Sequence, residues 1–306
     1  MDRLDAMRTF LAVADLGSFA GAARQLRLSS AAATRAVALL EAELGLAVLS
    51  RTTRSVRLTE PGSLYAERCR RILADVDDAK RQARGEDAAP RGLLSVTAPV
   101  MFGRLHLLPV VEALLARHPA LDVRLTLVDR IVHLVEEGFD IALRIGSLND
   151  SSLIAVPLTE VRRVLVATPA YLRKHGEPRA PVDLKAHQIV AFEGVGSTND
   201  WRFGGEAPTG VTMHPRLSVN NADAAIALVL RGQGITRVLS YQVHDELAAG
   251  RLKRVLPKHE PVPVGVNLLY QASRRGSPNI SAFVGEARRR FAALSGPHDD
   301  RQQARR

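Results

Sequence analysis

Ser29, Ser30, Ala31, Thr34 and Arg35 form a short run of hydroxyls and alanines ending in a guanidinium, and a basic cluster, Arg51, Thr52, Thr53 and Arg54, follows it. Such groups suit recognition of a nucleic acid. Hydroxyls donate to and accept from base edges, while a guanidinium forks onto guanine or a phosphate. The segment Gly17 to Gly62 supplies the elements that would hold them: two short helices around a tight turn, then a basic hairpin. Ser18 can cap the first helix, because its hydroxyl accepts from a backbone amide left free at the helix start. Ala22, Ala23 and Leu26 give that helix a narrow apolar stripe that a second helix can cross closely. Arg27 and Leu28 make the turn. Ser29 caps the second helix, which runs through Leu44 until Gly45 offers a left-handed stop. Ala33, Val37, Leu40 and Leu44 recur at helical spacing and pack inward, which turns Ser30, Ala31, Thr34, Arg35 and Ala38 outward. The alternating stretch Leu49 to Leu58 then reads as a wing with its arginines at the tip, placed to grip phosphates.

Helix-turn-helix spacing alone is common, and a helix rich in serine and alanine can be no more than a tolerant surface. The density of further matches decides between the two. They include Phe10 to Phe19 (FLAVADLGSF), Ala22-Ala23, Leu26, Ser29, Ala32, Arg35, Leu40-Glu41, Leu44-Gly45, Arg51 and Leu58-Thr59-Glu60-Pro61-Gly62. Over residues 1 to 62 the chain resembles the DNA-binding module of the LysR-type transcriptional regulators. The resemblance implies a winged helix-turn-helix with Ser29, Ser30, Ala31, Thr34, Arg35, Arg51, Thr52 and Arg54 at the DNA. Ser30 and Ala31 stand where the family often has Gln and then Pro or Ser, which implies an unusual base preference. Thr34 replaces a common Ser and keeps the hydroxyl.

With 306 residues and 46% hydrophobic content, two or three units with a sizeable core are expected. No long uncharged apolar run spans a bilayer, and Asp2, Arg3 and Asp5 stand where a signal peptide needs apolar residues, so a cytoplasmic protein without membrane partners is expected. Cys69 is the single cysteine, which excludes an internal disulfide, a thiol-pair sensor and a Cys cluster for metal. The net charge of +10 points to an anionic partner, yet much of the surplus lies in Arg288-Arg289-Arg290 and the tail Arg301 to Arg306. Such runs are usually solvated faces or disordered ends. The DNA reading therefore rests on the motif and not on charge.

Thr59 can cap a long charged helix that has Pro61 in its first turn and reaches about Glu86. Along it Tyr65, Cys69, Ile72, Val76, Ala79 and Ala83 alternate gaps of four and three, the period of a coiled-coil seam. Two readings stay open: the stripe pairs with a second copy, or it packs on the chain's own body. In either, Cys69 is a small hydrophobe in the seam. In the LysR family this segment, residues 63 to 89, is the linker helix that dimerises, which would present two recognition helices to two half-sites.

Residues 86 to 92 (EDAAPRG) break the pattern, and strands then alternate with helices as in an α/β sheet. Strand candidates are Leu93 to Thr97, Val123 to Val128, Ile141 to Ile145, Val164 to Ala167, Ile189 to Phe192, Val211 to Val219, Leu252 to Leu256 and Val264 to Tyr270. Helix candidates are His106 to Arg117, Tyr171 to His175, Ala222 to Arg231 with Asn220 or Asn221 as cap, Tyr241 to Ala248 and Ile280 to Leu294. The strings Pro119 to Val123 (PALDV), Asp140 to Gly146 (DIALRIG), Pro169 to Leu172 (PAYL) and Gly232 to Ile235 (GQGI) make residues 90 to 296 similar to the LysR effector domain. That implies a two-lobed fold like periplasmic binding proteins, with one lobe at 93 to 162 plus 268 to 295, the other at 163 to 267, and a basic, disordered tail expected at 297 to 306 outside both. A small-molecule effector would sit between the lobes against Thr97, Pro99, Val128, Arg144, Gly146, Asn220, Thr236 and Arg237. Thr97 and Thr236 can equally be satisfying strand ends, and Arg144 can be a structural ion-pair partner. Arg144 and Arg237 together would favour an organic anion.

Enzyme readings find little support. Gly232-Gln233-Gly234 lacks the third glycine of a dinucleotide loop, no phosphate-binding G-x-x-x-x-G-K-[ST] loop occurs, and the nine histidines lack metal spacing. His244-Asp245-Glu246 falls in an ordinary amphipathic helix. No catalytic residue, metal or cofactor is therefore expected. A solute receptor of the same two-lobed fold would need a secretion signal and has no use for a recognition helix. The expected architecture is an N-terminal all-α winged helix-turn-helix, a coiled-coil linker helix and a C-terminal α/β two-lobed effector domain. Its expected partners are operator DNA, an effector of unknown identity, further copies as homodimer or homotetramer, and RNA polymerase as a candidate.

Overall fold

The computed structural model describes residues 2–51, 56–83, 89–146, 152–193, 199–204 and 209–294. The chain divides into two compact units, Met1–Ala88 and Ala89–Arg306. The first begins with α1 (Arg3–Leu16), an element that the sequence reading did not separate from its motif, ended by Gly17 at φ 60°. After it come α2 (Phe19–Leu26) and α3 (Ser30–Leu44), each opened by the serine that the sequence singles out. Ser18 Oγ accepts from Gly21 N at 3.1 Å and Ser29 Oγ from Ala32 N at 3.1 Å. Arg27 closes α2 at φ 57°, so the turn uses a left-handed arginine where a glycine is the easier choice. Two short antiparallel strands, β1 (Leu49–Arg51) and β2 (Val56–Leu58), pair Leu49 with Leu58 and make the stem of the wing. The helix α4 (Glu60–Ala83) then leaves, with Thr59 Oγ1 accepting from Gly62 N at 3.0 Å. Phe10, Val13, Ala22, Ala36, Val37, Leu40 and Cys69 meet in one core.

The second unit alternates as expected but with more strands. In order come β3 (Gly92–Ala98), α5 (Val100–Phe102), one π turn at Gly103–Leu107, α6 (Leu108–Arg117), β4 (Leu121–Leu127), β5 (Ile141–Ile145), β6 (Leu153–Val161) and β7 (Arg163–Ala167). They are followed by α7 (Pro169–His175), β8 (Val190–Phe192), β9 (Asp200–Phe203), β10 (Thr209–Thr212), β11 (Leu217–Val219) and α8 (Ala222–Leu230). The chain closes with β12 (Thr236–Leu239), α9 (His244–Ala248), β13 (Lys253–Val255), β14 (Val264–Gln271) and α10 (Pro278–Leu294). The strand expected at Val211 to Val219 is two strands, because His214-Pro215 interrupts it. The helix expected from Tyr241 begins only at His244, after a tight turn at Ser240–Val243.

The first lobe is a five-stranded sheet of order β4-β3-β5-β14-β6, in which β3 runs parallel to β4 and β5 while β14 is antiparallel to β5 and β6. The lobe boundary needs correction here. Val264–Asn267, expected in the second lobe, pair with β5 or β6 as part of β14, so the chain returns before residue 264 and not at 268. Leu94, Val96 and Ala98 pack on one side under α6 and α10, and the period of two sends Ser95 and Thr97 to the other. The second lobe centres on β12-β7-β13, which a bridge between Ile189 and Ile235 links to the parallel pair β8 and β11. One face of that sheet packs Val164, Val166 and Val238 on α8; the other packs Leu165 and Ala167 on α7 and on Trp201 and Phe203 of the β9–β10 hairpin.

The lobes also touch directly. Met101 of the first lobe is buried in the α8 cluster of the second, Phe102 meets Tyr241 edge-on at 5.1 Å, and Arg104 pairs with Asp223 at 3.1 Å.

Candidate nucleic-acid interface and effector site

The outward face of α3 is built by what lies beneath it. Ala33, Ala36 and Val37 are wholly buried and Leu40 nearly so, which leaves Ser30, Ala31, Arg35 and Ala38 exposed. Ala36 is an inward residue that the sequence reading did not name. Thr34 Oγ1 donates to Ser30 O at 2.9 Å, so this hydroxyl offers its lone pairs outward while its proton is held by the helix. Ser29 is committed at the cap, where its hydroxyl serves the backbone of the first turn. The result is a low-relief polar surface with one long cation, Arg35, projecting from it.

The wing is tied to that helix by a residue that appeared in the sequence only as part of a matched string. Glu41 Oε1 accepts from Val48 N at 3.0 Å and from Leu49 N at 3.1 Å, so one carboxylate of α3 fixes the first residues of β1. Thr59 completes the arrangement, with Oγ1 donating to Ala47 O at 2.9 Å and its amide donating to Val48 O at 3.1 Å. Gly62 packs so closely here that an added Cβ would lie 1.9 Å from Val48 O. Arg51 takes its place in β1 opposite Val56. Thr52 and Arg54 lie outside the described residues.

The stripe on α4 divides between the two readings. Cys69 is wholly buried by this chain's own core together with Ala66 and Leu73, and Tyr65 stacks obliquely on Phe10 of α1 at 5.7 Å. Cys69 is therefore no contact for a second copy in this fold, a correction to the seam. Leu73, absent from that seam, takes a buried place because α1 crosses there. Ile72 and Ala79 face outward and Val76 is half-buried; Leu64, on the same outward side as Ile72, is 67% exposed. The side chain of Ala83 lies outside the described residues. Burial pushes the Cys69 thiol up from its ordinary pKa, which fits an inert packing role, and burial raises Tyr65 to about 12.

In the first lobe the sheet brings Thr97, Pro99, Val128, Arg144 and Gly146 to the same end of three parallel strands. Ala98 pairs with Leu127 and Thr97 with Ala142, so β3, β4 and β5 finish side by side, and Val128 N donates to Ala98 O at 3.0 Å. The space beyond carboxyl ends of parallel strands is where open α/β sheets bind ligands. Thr97 is only 3% exposed, however, and the Arg144 guanidinium donates to Val132 O. Gly146 supplies a φ of 122°. Asp129 Oδ1 accepts from Val100 N at 3.0 Å, and burial holds its carboxyl above the ordinary range.

The second lobe treats its candidates differently. Asn220 is exposed and Asn221 is the cap of α8, accepting from Ala224 N at 3.0 Å. Thr236 is wholly buried and its hydroxyl has no partner among the described residues. Arg237 lies over the Trp201 ring at 4.8 Å. Arg144 and Arg237 thus engage different partners, one in each lobe. Among the described residues no cluster of three or more His, Cys, Asp or Glu could hold a metal, and no helix is long and apolar enough to cross a membrane.

Comparison with known proteins matches both units. Residues 4–63 fit the bacterial regulatory helix-turn-helix protein family of lysR type, and residues 87–292 fit the LysR substrate binding domain. An HTH-type transcriptional repressor of Pseudomonas aeruginosa strain UCBPP-PA14 is 34% identical over 95% of this chain and 93% of its own length. The HTH-type transcriptional regulator PtxR of Pseudomonas aeruginosa is 35% identical over 93% of this chain and 92% of its own. Among solved structures, CrgA, a LysR-type transcriptional regulator from Neisseria meningitidis, superposes with a TM-score of 0.60 at 30% identity, covering 94% of this chain and 98% of that one. A capped recognition helix with its wing, followed by a two-lobed α/β unit, is thus matched along nearly the whole length, and the chain belongs to the LysR family of bacterial transcriptional regulators.

Proposed function

We propose that this regulator reads its operator with the outward face of α3, laying Ser30, Ala31 and Thr34 along base edges in the major groove while Arg35 forks onto guanine or phosphate. The observation that carries this reading is the division of α3 itself: alanine and valine wholly buried on one side, small polar groups and one arginine exposed on the other. Ser29 contributes through the helix start, where free amides and the positive end of the helix suit a phosphate. Arg51, Thr52 and Arg54 extend the contact along the backbone from the wing. Two copies pair through the outward side of α4, with Ile72, Val76 and Ala79 and the neighbouring Leu64 as contacts and Tyr65 at the margin. The protein works in the cytoplasm, beside its operator. A small molecule bound by the two-lobed unit biases one lobe arrangement over another, and α4 passes that bias to the DNA.

The test is a gel shift on the operator located by footprinting. Arg35→Ala is expected to abolish specific binding while leaving the melting curve unchanged; unchanged operator affinity would remove Arg35 from the interface. Wild-type affinity is expected to fall steeply with salt, because phosphate contacts release counterions.

A further inference from the structure

Arg237 is a half-buried cation with no paired anion among the described residues. Two other half-buried guanidiniums have carboxylates, Arg254 with Glu260 and Arg274 with Asp140, and Arg144 has the Val132 carbonyl. Among the described residues Arg237 has the face of Trp201 and no carboxylate. Trp201 is itself 4% exposed, fixed in the cluster between α7 and the β9–β10 hairpin, so it holds the guanidinium plane in place.

A second cation stands beside the first. Arg237 is directly opposite Leu165 on β7, and Arg163 is opposite Leu239. Residues two apart on a strand share a face, so Arg163, Leu165 and Arg237 point to the same side of the sheet, with the two arginines as diagonal neighbours. Like charges so placed repel, and among the described residues no acid is paired with Arg237. Arg163 and Arg237 are both half-buried, so neither residue is sealed from solvent.

We propose that Arg237 and Arg163 form an oxyanion site on the Trp201 face of the second lobe, which takes the carboxylate or phosphate group of a small organic acid. This deepens the reading of the two-lobed unit as an effector sensor and rests on it. It moves the anion-binding pair from Arg144 and Arg237, held in separate lobes, to two arginines of one sheet. A guanidinium forks onto either oxyanion with two parallel hydrogen bonds, and fixing its plane in advance lowers the ordering cost of binding. Burial first, and then Arg163, pull the pKa of Arg237 down to about 10, as expected of a cation short of a counter-charge.

The experiment melts the full-length protein at constant ionic strength in sodium chloride, with sodium succinate, sodium benzoate or inorganic phosphate replacing part of the chloride. At least one of the three is expected to raise the wild-type Tm by several degrees above the chloride control. A rise with succinate or benzoate alone assigns a carboxylate ligand; a rise with phosphate alone assigns a phosphate ester. Arg237→Met keeps an apolar stem over Trp201, and it is expected to melt no lower than wild type in chloride and to lose the anion-dependent rise. Should that variant fail to fold, Arg163→Met decides, with an expected loss of about tenfold in anion affinity. The proposal is overturned if none of the three anions moves the wild type, or if the rise persists at full size in the variants. The gel shift is run on the same preparations, so a protein that binds operator yet ignores every anion loses this site alone.

Discussion

In α3 the side chains proposed to meet DNA share one face of a single helix, whereas in β12 two adjacent candidates point to opposite sides of one sheet. Ser30, Ala31 and Arg35 are all exposed because Ala33, Ala36 and Val37 fill the other side. Thr236 is sealed against the α8 cluster, while Arg237 lies on Trp201. A helix with one buried stripe assigns every other position to water. A strand covered on both faces assigns neither, and its polar residues take whatever the neighbouring elements leave.

The contrast can be broken most strongly where the helical unit depends on one backbone contact. Gly62→Ala places a Cβ 1.9 Å from Val48 O, so the start of α4 must move away from β1. A loss of about 3 kcal/mol is expected, with operator binding falling along with it. Chemical denaturation measures the first and a gel shift the second; a neutral alanine would mean that the two segments separate without cost.

A smaller effect sharpens the same side of the comparison. Glu41→Ala leaves the Val48 and Leu49 amides without their carboxylate and is expected to cost about 2 kcal/mol, with Glu41→Gln recovering much of it because an amide oxygen still accepts. If the bond orients the wing, the slope of log affinity against log salt should also flatten by about one or two ions in the alanine variant. A folded alanine variant with the wild-type slope would show that the wing finds its position without α3.

Thr236→Val tests the strand side and carries the smallest effect. Replacing a buried, unpartnered hydroxyl by a methyl of the same shape is expected to be neutral or to stabilise by up to about 1 kcal/mol. A clear drop in Tm would reveal a partner for the hydroxyl and would bring Thr236 closer in kind to the capped serines of α2 and α3.

How legible each region was follows the range of the interactions that made it. The caps at Ser18, Ser29, Thr59 and Asn221 were readable because each hydroxyl or amide meets a backbone amide three residues on. The edge strand β6 was not read at all. It contains Pro157 and Glu160, which suit an edge but break the run of apolar residues that marks a central strand, and its pairing with β14 shifts register between Val266 and Asn267. The seam on α4 was readable as a stripe but not as a contact, since the 3.5-residue period is the same whether a second copy or α1 covers it. Cys69 and Leu73 went to α1, and Ile72 did not.

The sequence by itself determined the family, the order of its units, the helix boundaries set by local caps and the polar face of α3, all of which depend on residues a few positions apart. Only the tertiary structure decided that Glu41 holds the wing, that Gly62 must be glycine, that Val264–Asn267 belong to the first lobe, and that Arg237 lies on Trp201 beside Arg163. Each of these depends on which distant segment comes to lie against the residue. Residue type limits those partners without naming them, and packing of the whole chain selects one.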